Sequence, residues 1–124
     1  DLKTKTRIEL ERKAMEGLEF FCGGKAAMFV MTKAMLDGVD SEDSNGLAAM
    51  PRMIEGVEVG IVIREEDKGW KASLRSNSYI DVQEICKTMG GGGHKRAAGC
   101  TVEGTLEQAK EKIKQAVTAA LESA

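Results

Sequence analysis

Val57-Glu58-Val59-Gly60-Ile61-Val62-Ile63-Arg64, the bridge Glu65-Glu66-Asp67-Lys68-Gly69, and Trp70-Lys71-Ala72-Ser73-Leu74-Arg75-Ser76 are the residues on which the fold turns. Val57, Val59, Ile61 and Ile63 recur at every second position, the period of a strand with one buried face. Glu66 to Gly69 supply a turn, with a glycine where positive φ is needed. Trp70, Ala72 and Leu74 then alternate with Lys71, Ser73 and Arg75. The pattern predicts a β-hairpin whose second strand carries Ser73 and Arg75 on one face and Trp70 on the other. Trp70 is on the apolar face and reads as a core anchor, not as a platform for stacking a base.

Upstream, Ala26-Ala27-Met28-Phe29-Val30-Met31-Thr32-Lys33 is apolar on both faces, as in a central strand covered from each side. Before it, Leu2 to Cys22 has helical spacing through Ile8, Met15, Leu18 and Cys22, and Gly23-Gly24 supplies a stop. Asp37 to Ser44 reads as a solvated acidic loop. A short helix is predicted over Asn45 to Ile54, with Pro51 limiting its length. Downstream, Asp81 is an N-cap with Glu84 at the capping-box position, and Val82, Ile85, Cys86 and Met89 form an apolar stripe that ends at Gly90. Ala97 to Val102 reads as a returning strand. Thr105 and Gln108 open a last helix that buries Ala109, Ile113, Ala116, Val117, Ala120 and Leu121. The fold class is therefore α/β: a single domain with a mixed sheet of four or five strands flanked by helices.

The chain has 124 residues, 42% hydrophobic and 31% charged, which suits one globular domain. Its longest apolar run, Ala26 to Met31, is too short to span a membrane, and no signal peptide is visible. Cys22, Cys86 and Cys100 are widely spaced and odd in number, the pattern of buried thiols in a reducing cytosol, so a cytoplasmic location is expected. The first residue is Asp1, not Met, which suggests a piece of a longer polypeptide.

The net charge of −2 hides an asymmetry. Acidic residues dominate from Asp37 to Asp67. The formal charges from Lys68 to Ile80 are Lys68, Lys71 and Arg75 alone, and those from Ile85 to Val102 are Lys87, Lys95 and Arg96 alone. A compact basic region on an acidic body suits a small anion better than a long duplex. The second basic stretch contains Gly90-Gly91-Gly92-Gly93-His94-Lys95-Arg96. Glycines can bring main-chain N–H groups close to a ligand, and such groups turned inward cradle phosphate. His94, the only histidine, can donate to that phosphate; no partners are spaced to complete a zinc site with it. Arg75 offers a planar fork for phosphate oxygens, with Ser73, Ser76 and Asn77 as short donors beside it.

Gly-Gly-Gly-His followed by Ala-Ala-Gly resembles the signature of the DHH-associated C-terminal domain, first subtype, of DHH phosphoesterases. Lys71-Ala72-Ser73-Leu74-Arg75-Ser76 resembles that family's second substrate-binding element. The likeness runs from about Lys25 to the C-terminus and is nearest to the nanoRNase and pAp-phosphatase branch. It implies a phosphate site made of Ser73, Arg75, Ser76, Gly91, Gly92, Gly93, His94 and Lys95. It also divides the chain into residues 1–24, a helix and linker from a preceding domain, and residues 25–124, the substrate-binding domain. The implied ligand is a nucleotide or short single-stranded oligonucleotide. The implied partner is an N-terminal DHH domain of the same polypeptide that holds divalent manganese or magnesium. No Asp-His-His and no aspartate–histidine cluster occurs here, so no cofactor is expected in this chain and no catalytic residue is assigned. Short RNA, single-stranded DNA, pAp and cyclic dinucleotides all remain open as substrates. The alternative is a non-enzymatic nucleic-acid-binding module of the kind that ends alanyl-tRNA synthetases, which also has a glycine-rich loop.

Overall fold

The computed structural model describes residues 2–124. Helix α1 (Lys5–Glu16) begins where the Thr4 hydroxyl accepts from the Arg7 amide at 3.0 Å, and it ends at Gly17. Here the expected longer helix is corrected. Glu19–Phe21 is a strand, β1, and Cys22, Gly23 and Gly24 all take positive φ (55°, 64° and 87°) in the turn to β2 (Ala26–Met31). A few apolar residues at this spacing suit either structure; antiparallel pairing of Glu19–Phe21 with Ala26–Met28 decides between them.

After β2 come α2 (Lys33–Leu36), α3 (Ser41–Asn45) and two 3₁₀ turns, Gly46–Ala49 and Pro51–Met53. The predicted helix over residues 45–54 is thus a broken one that starts earlier, and Pro51 opens its second turn. These turns lie against strand β3 (Val59–Glu66), and Gly60 makes that possible. A Cβ there would come within 2.5 Å of the Arg52 backbone nitrogen. The hairpin continues as β4 (Gly69–Ser76), in register with β3 from Val59↔Ser76 to Glu66↔Gly69. Trp70 packs beside the core, and its indole N–H donates to the Gly104 carbonyl at 3.1 Å.

Helix α4 (Val82–Lys87) is capped by the Asp81 carboxylate, which accepts from the Gln83 and Glu84 amides. Strands β5 (Gly92–His94) and β6 (Ala97–Val102) follow, and α5 (Leu106–Glu122) starts in the capping box of Thr105 and Gln108. The strand order is β1-β2-β3-β4-β6-β5, with β2 and β3 parallel and every other pair antiparallel. The sheet is mixed, as expected, but has six strands. The two unforeseen ones are the short edges β1 and β5, which become strands only through pairing with a neighbour.

One face of the sheet is buried against α4 and α5 through Met28, Ile61, Ile63, Leu74, Val82, Ile113 and Val117. The other face has its own core, in which Leu10 and Ala14 of α1 meet Phe29, Met31, Leu47 and Val62. Helix α1 and strand β1, both before Lys25, are therefore packed into the same body. That second core reaches only β2 and β3. On the same face, the residues of β4, β6 and β5 are half-buried or exposed. All three cysteines are free, and no helix among the described residues is long and apolar enough to cross a membrane.

Candidate functional site

The half of the sheet left uncovered is where the two suspected motifs meet. Arg75 lies opposite Ala97, and Ala97 lies opposite His94; Ser73 lies opposite Gly99, and Gly99 opposite Gly92. Residues directly opposite in neighbouring strands point to the same face. Arg75, Ser73, His94 and Gly92 consequently share one face despite nearly twenty intervening residues. Arg75 and His94 are two strand spacings apart, about 10 Å between backbones, which two long side chains can bridge through one anion. Between them stand only Ala97 and Gly99, so nothing rises from the sheet to fill the space.

The electrostatics of this face are unbalanced. Arg75 makes no ion pair with any described residue, and its Nε is buried without a hydrogen-bond partner. Leaving such a donor unsatisfied costs about 1–3 kcal/mol. His94 and Lys95 are exposed, and no described side chain pairs with them. Lys71, two residues before Ser73, lays its stem along the sheet: its Nζ is 3.5 Å from where a Cβ on Gly99 would be. Strand parity already puts Lys71 on the face of Ser73; the register adds that its ammonium comes to rest over Gly99 of β6.

The rim of this face is fixed by hydrogen bonds to the loop that follows β4. Glu58 is 5% exposed, and its carboxylate accepts from the amides of Ser78, Tyr79 and Ile80 and from the Ser78 hydroxyl. Burial opposes its ionisation, but the donors of Ile80, Tyr79 and Ser78 together outweigh that and hold the carboxyl below its usual range. Arg96 approaches the same loop from the other side. It donates to the Ile80 carbonyl at 2.6 Å and to the Ser78 carbonyl at 2.5 Å. Its guanidinium is thus engaged by the backbone, although it follows directly on the basic motif. Asn77 closes the rim by donating to the carbonyls of Arg52 and Val57, both at 2.7 Å, and accepting from Arg52 at 3.2 Å.

Two expectations about the site are corrected by its geometry. Ser76 points to the opposite face and is buried, with its hydroxyl donating to the Ile80 carbonyl at 2.6 Å. The parity of the strand forces this, since Ser76 follows Arg75 by one residue. The glycine run, moreover, begins with two N–H groups that are already engaged. Gly90 takes φ 81° and ends α4, its amide bonding to Lys87 O and that of Gly91 to Cys86 O at 2.8 Å. Gly91 is packed against β6, where an added Cβ would stand 2.1 Å from the Gly99 carbonyl oxygen. Gly93 takes φ 147°, and its carbonyl accepts from the Gln83 side chain at 2.7 Å. Gly92 is free of close neighbours on that face. The glycines bring β5 flat against its neighbour and leave the face low, with Arg75, Ser73 and His94 as its side-chain donors.

Among the described residues, no three His, Cys, Asp or Glu side chains gather closely enough to hold a metal ion. The site does not fit a divalent cation, and no metal step is assigned to these residues. What the arrangement can do is bind an anion of phosphate size on an open, basic, low-relief surface.

Such a face on a mixed α/β sheet is a candidate surface for an anion. The chain belongs to the DHHA1 domain family, whose profile matches residues 24–123. It is 38% identical over 111 residues to the bifunctional oligoribonuclease and PAP phosphatase NrnA of Thermus thermophilus, covering 89% of this chain and 33% of that protein. Among solved structures it is similar to an exopolyphosphatase-related protein from Bacteroides fragilis, with TM-score 0.84 and 25% identity over 93% of this chain and 35% of that one. The C-Ala domain of Aquifex aeolicus alanyl-tRNA synthetase is similar in fold, with TM-score 0.54 and 16% identity over 75% of this chain and 90% of that one. The fold alone therefore does not distinguish the two functions raised by the sequence. The chain spans about a third of the length of the NrnA relative and of the Bacteroides protein.

Proposed function

We propose that this chain is the substrate-holding domain of a DHH-family phosphoesterase that acts on short oligonucleotides or on 3′,5′-phosphorylated nucleotides such as pAp. The observation that carries the reading is the uncompensated Arg75, with its Nε buried and unpartnered on the same face as His94 and Ser73. A phosphate seated there satisfies that donor and accepts from the imidazole. The 38% identity to a protein named as an oligoribonuclease and PAP phosphatase supports the substrate class. Divalent manganese or magnesium, held by a DHH domain of the same polypeptide, would activate water for hydrolysis. This chain's residues only bind and orient: Arg75 and His94 hold the phosphate, while the low strip between them lets the rest of the substrate lie flat.

The test is a titration of the chain with AMP, followed by the amide resonances of Gly92 to His94 and by calorimetry. The expected affinity is millimolar to high micromolar, since the face is open and a charge-assisted hydrogen bond contributes only about 1.5–3 kcal/mol. Added salt should weaken it. No AMP or pAp should be hydrolysed by this chain, with or without manganese. Absence of any shift at millimolar AMP, or metal-dependent cleavage by this chain alone, overturns the proposal.

A further inference from the structure

The open face carries more positive charge than one phosphate requires. Arg75 and His94 occupy one row across the strands; Ser73, Gly99 and Gly92 occupy the next. Lys71 starts one row further on, opposite Thr101, but its side chain lies back along the sheet, so that its ammonium stands over Gly99 in the Ser73 row. Rows on one face of a strand are about 7 Å apart. That spacing is comparable with the separation of neighbouring phosphates in an extended single strand. Gly99 leaves this position open, since an added Cβ there would crowd the lysine stem at 3.2 Å. Lys71 has no ion pair among the described residues, although Glu66 lines one cavity with it.

Beyond this second row the face drops into a cavity of about 280 Å³ beside the α3 segment, bounded by Ser73, Lys71, Asn45, Val62, Arg64 and Glu66. It is at the lower end of ligand-pocket sizes, enough for one sugar or base and not for more. The cavity contains both apolar and hydrogen-bonding groups, as a nucleoside requires.

Resting on the phosphate-binding reading above, we infer that Lys71 and Ser73 form a second phosphate subsite, next to the Arg75–His94 subsite, with the adjoining cavity taking the attached nucleoside. The ligand class is a single-stranded nucleotide bearing two phosphates in succession, so the chain discriminates a dinucleotide from a mononucleotide by this lysine. Lys71 offers three rotatable donors on a flexible stem and can follow either bridging geometry of the second phosphate.

The experiment compares the wild-type chain with Lys71→Gln, Lys71→Arg and Arg75→Met, each titrated with AMP and with 5′-phosphorylated diadenylate. Lys71→Gln should weaken the dinucleotide by about five- to tenfold and AMP by less than about twofold, the range for an exposed charged contact. The dependence of dinucleotide binding on salt should also fall, by roughly 0.7 in logarithmic slope, the equivalent of one phosphate contact. Lys71→Arg should restore both quantities, and Arg75→Met should weaken both ligands alike. Lys71 is exposed, and an unchanged melting temperature for its variants confirms that folding is not the cause. Equal weakening of both ligands by Lys71→Gln, or no weakening of either, overturns the second subsite while leaving the first in place. Failure of the wild-type chain to bind AMP or diadenylate overturns the phosphate-binding reading itself, and this subsite with it.

Discussion

Replacing Arg75 by methionine separates its role in folding from its role in binding. Methionine keeps an unbranched stem of similar length, so packing beside Gly60 and Ala97, the residues opposite Arg75 in β3 and β6, is retained. What it removes is a guanidinium whose Nε is buried without a partner. An unsatisfied donor of that kind costs about 1–3 kcal/mol, and since Arg75 is only half-buried the lower end applies. The variant should therefore be as stable as the wild type or more so, by up to about 1 kcal/mol. For a chain of this size that is a rise of roughly 3–6 °C in melting temperature. Affinity for AMP should fall at least about tenfold, because one or two charge-assisted hydrogen bonds are lost. Urea unfolding and AMP titration on the same preparations measure both. A loss of more than about 1 kcal/mol of stability with AMP affinity unchanged would refute the reasoning and make Arg75 a structural residue.

Glu58→Gln should cost roughly 2–3 kcal/mol, because an amide N–H₂ would face the donors that now meet a carboxylate oxygen. The folded carboxyl titrates below its unfolded value, so its contribution is present above the unfolded range and is lost as pH falls through the lower folded one. Wild-type stability should therefore drop on acidification below about pH 4.3, and the Gln variant should show a flatter acid limb; identical limbs would contradict the assignment. Gly91→Ala should loosen the β5–β6 pairing and cost about 1–3 kcal/mol, since its Cβ would overlap the Gly99 carbonyl. Gly92→Ala should leave the fold within about 0.5 kcal/mol. Amide exchange of Gly92 to His94 distinguishes the two, and a reversed order of damage would mean the hairpin sits differently on the sheet.

Much was legible before any coordinates. The alternation from Val57 to Ile63 and from Trp70 to Arg75 specifies a hairpin because burial of one face permits only one register. The capping residues Asp81, Thr105 and Gln108 set their helix starts, since a cap acts within one turn of its own position. Strand parity alone placed Ser73 and Arg75 together, and the same parity should have taken Ser76 away from them. Tertiary structure decided what depends on partners distant in the chain. Glu19–Phe21 and Gly92–His94 are strands only because β2 and β6 offer free edges, and no local propensity encodes that. The face shared by Arg75 and His94 follows from the order β4-β6-β5, and the glycine opposite Ser73 leaves room for the Lys71 ammonium over β6. Arg96, adjacent to Lys95 in the motif, is instead turned into the rim by the carbonyls of Ser78 and Ile80. Residue type and spacing determine which groups can hold a phosphate; which of them face it depends on non-local pairing, where each strand's side chains are assigned to one side or the other.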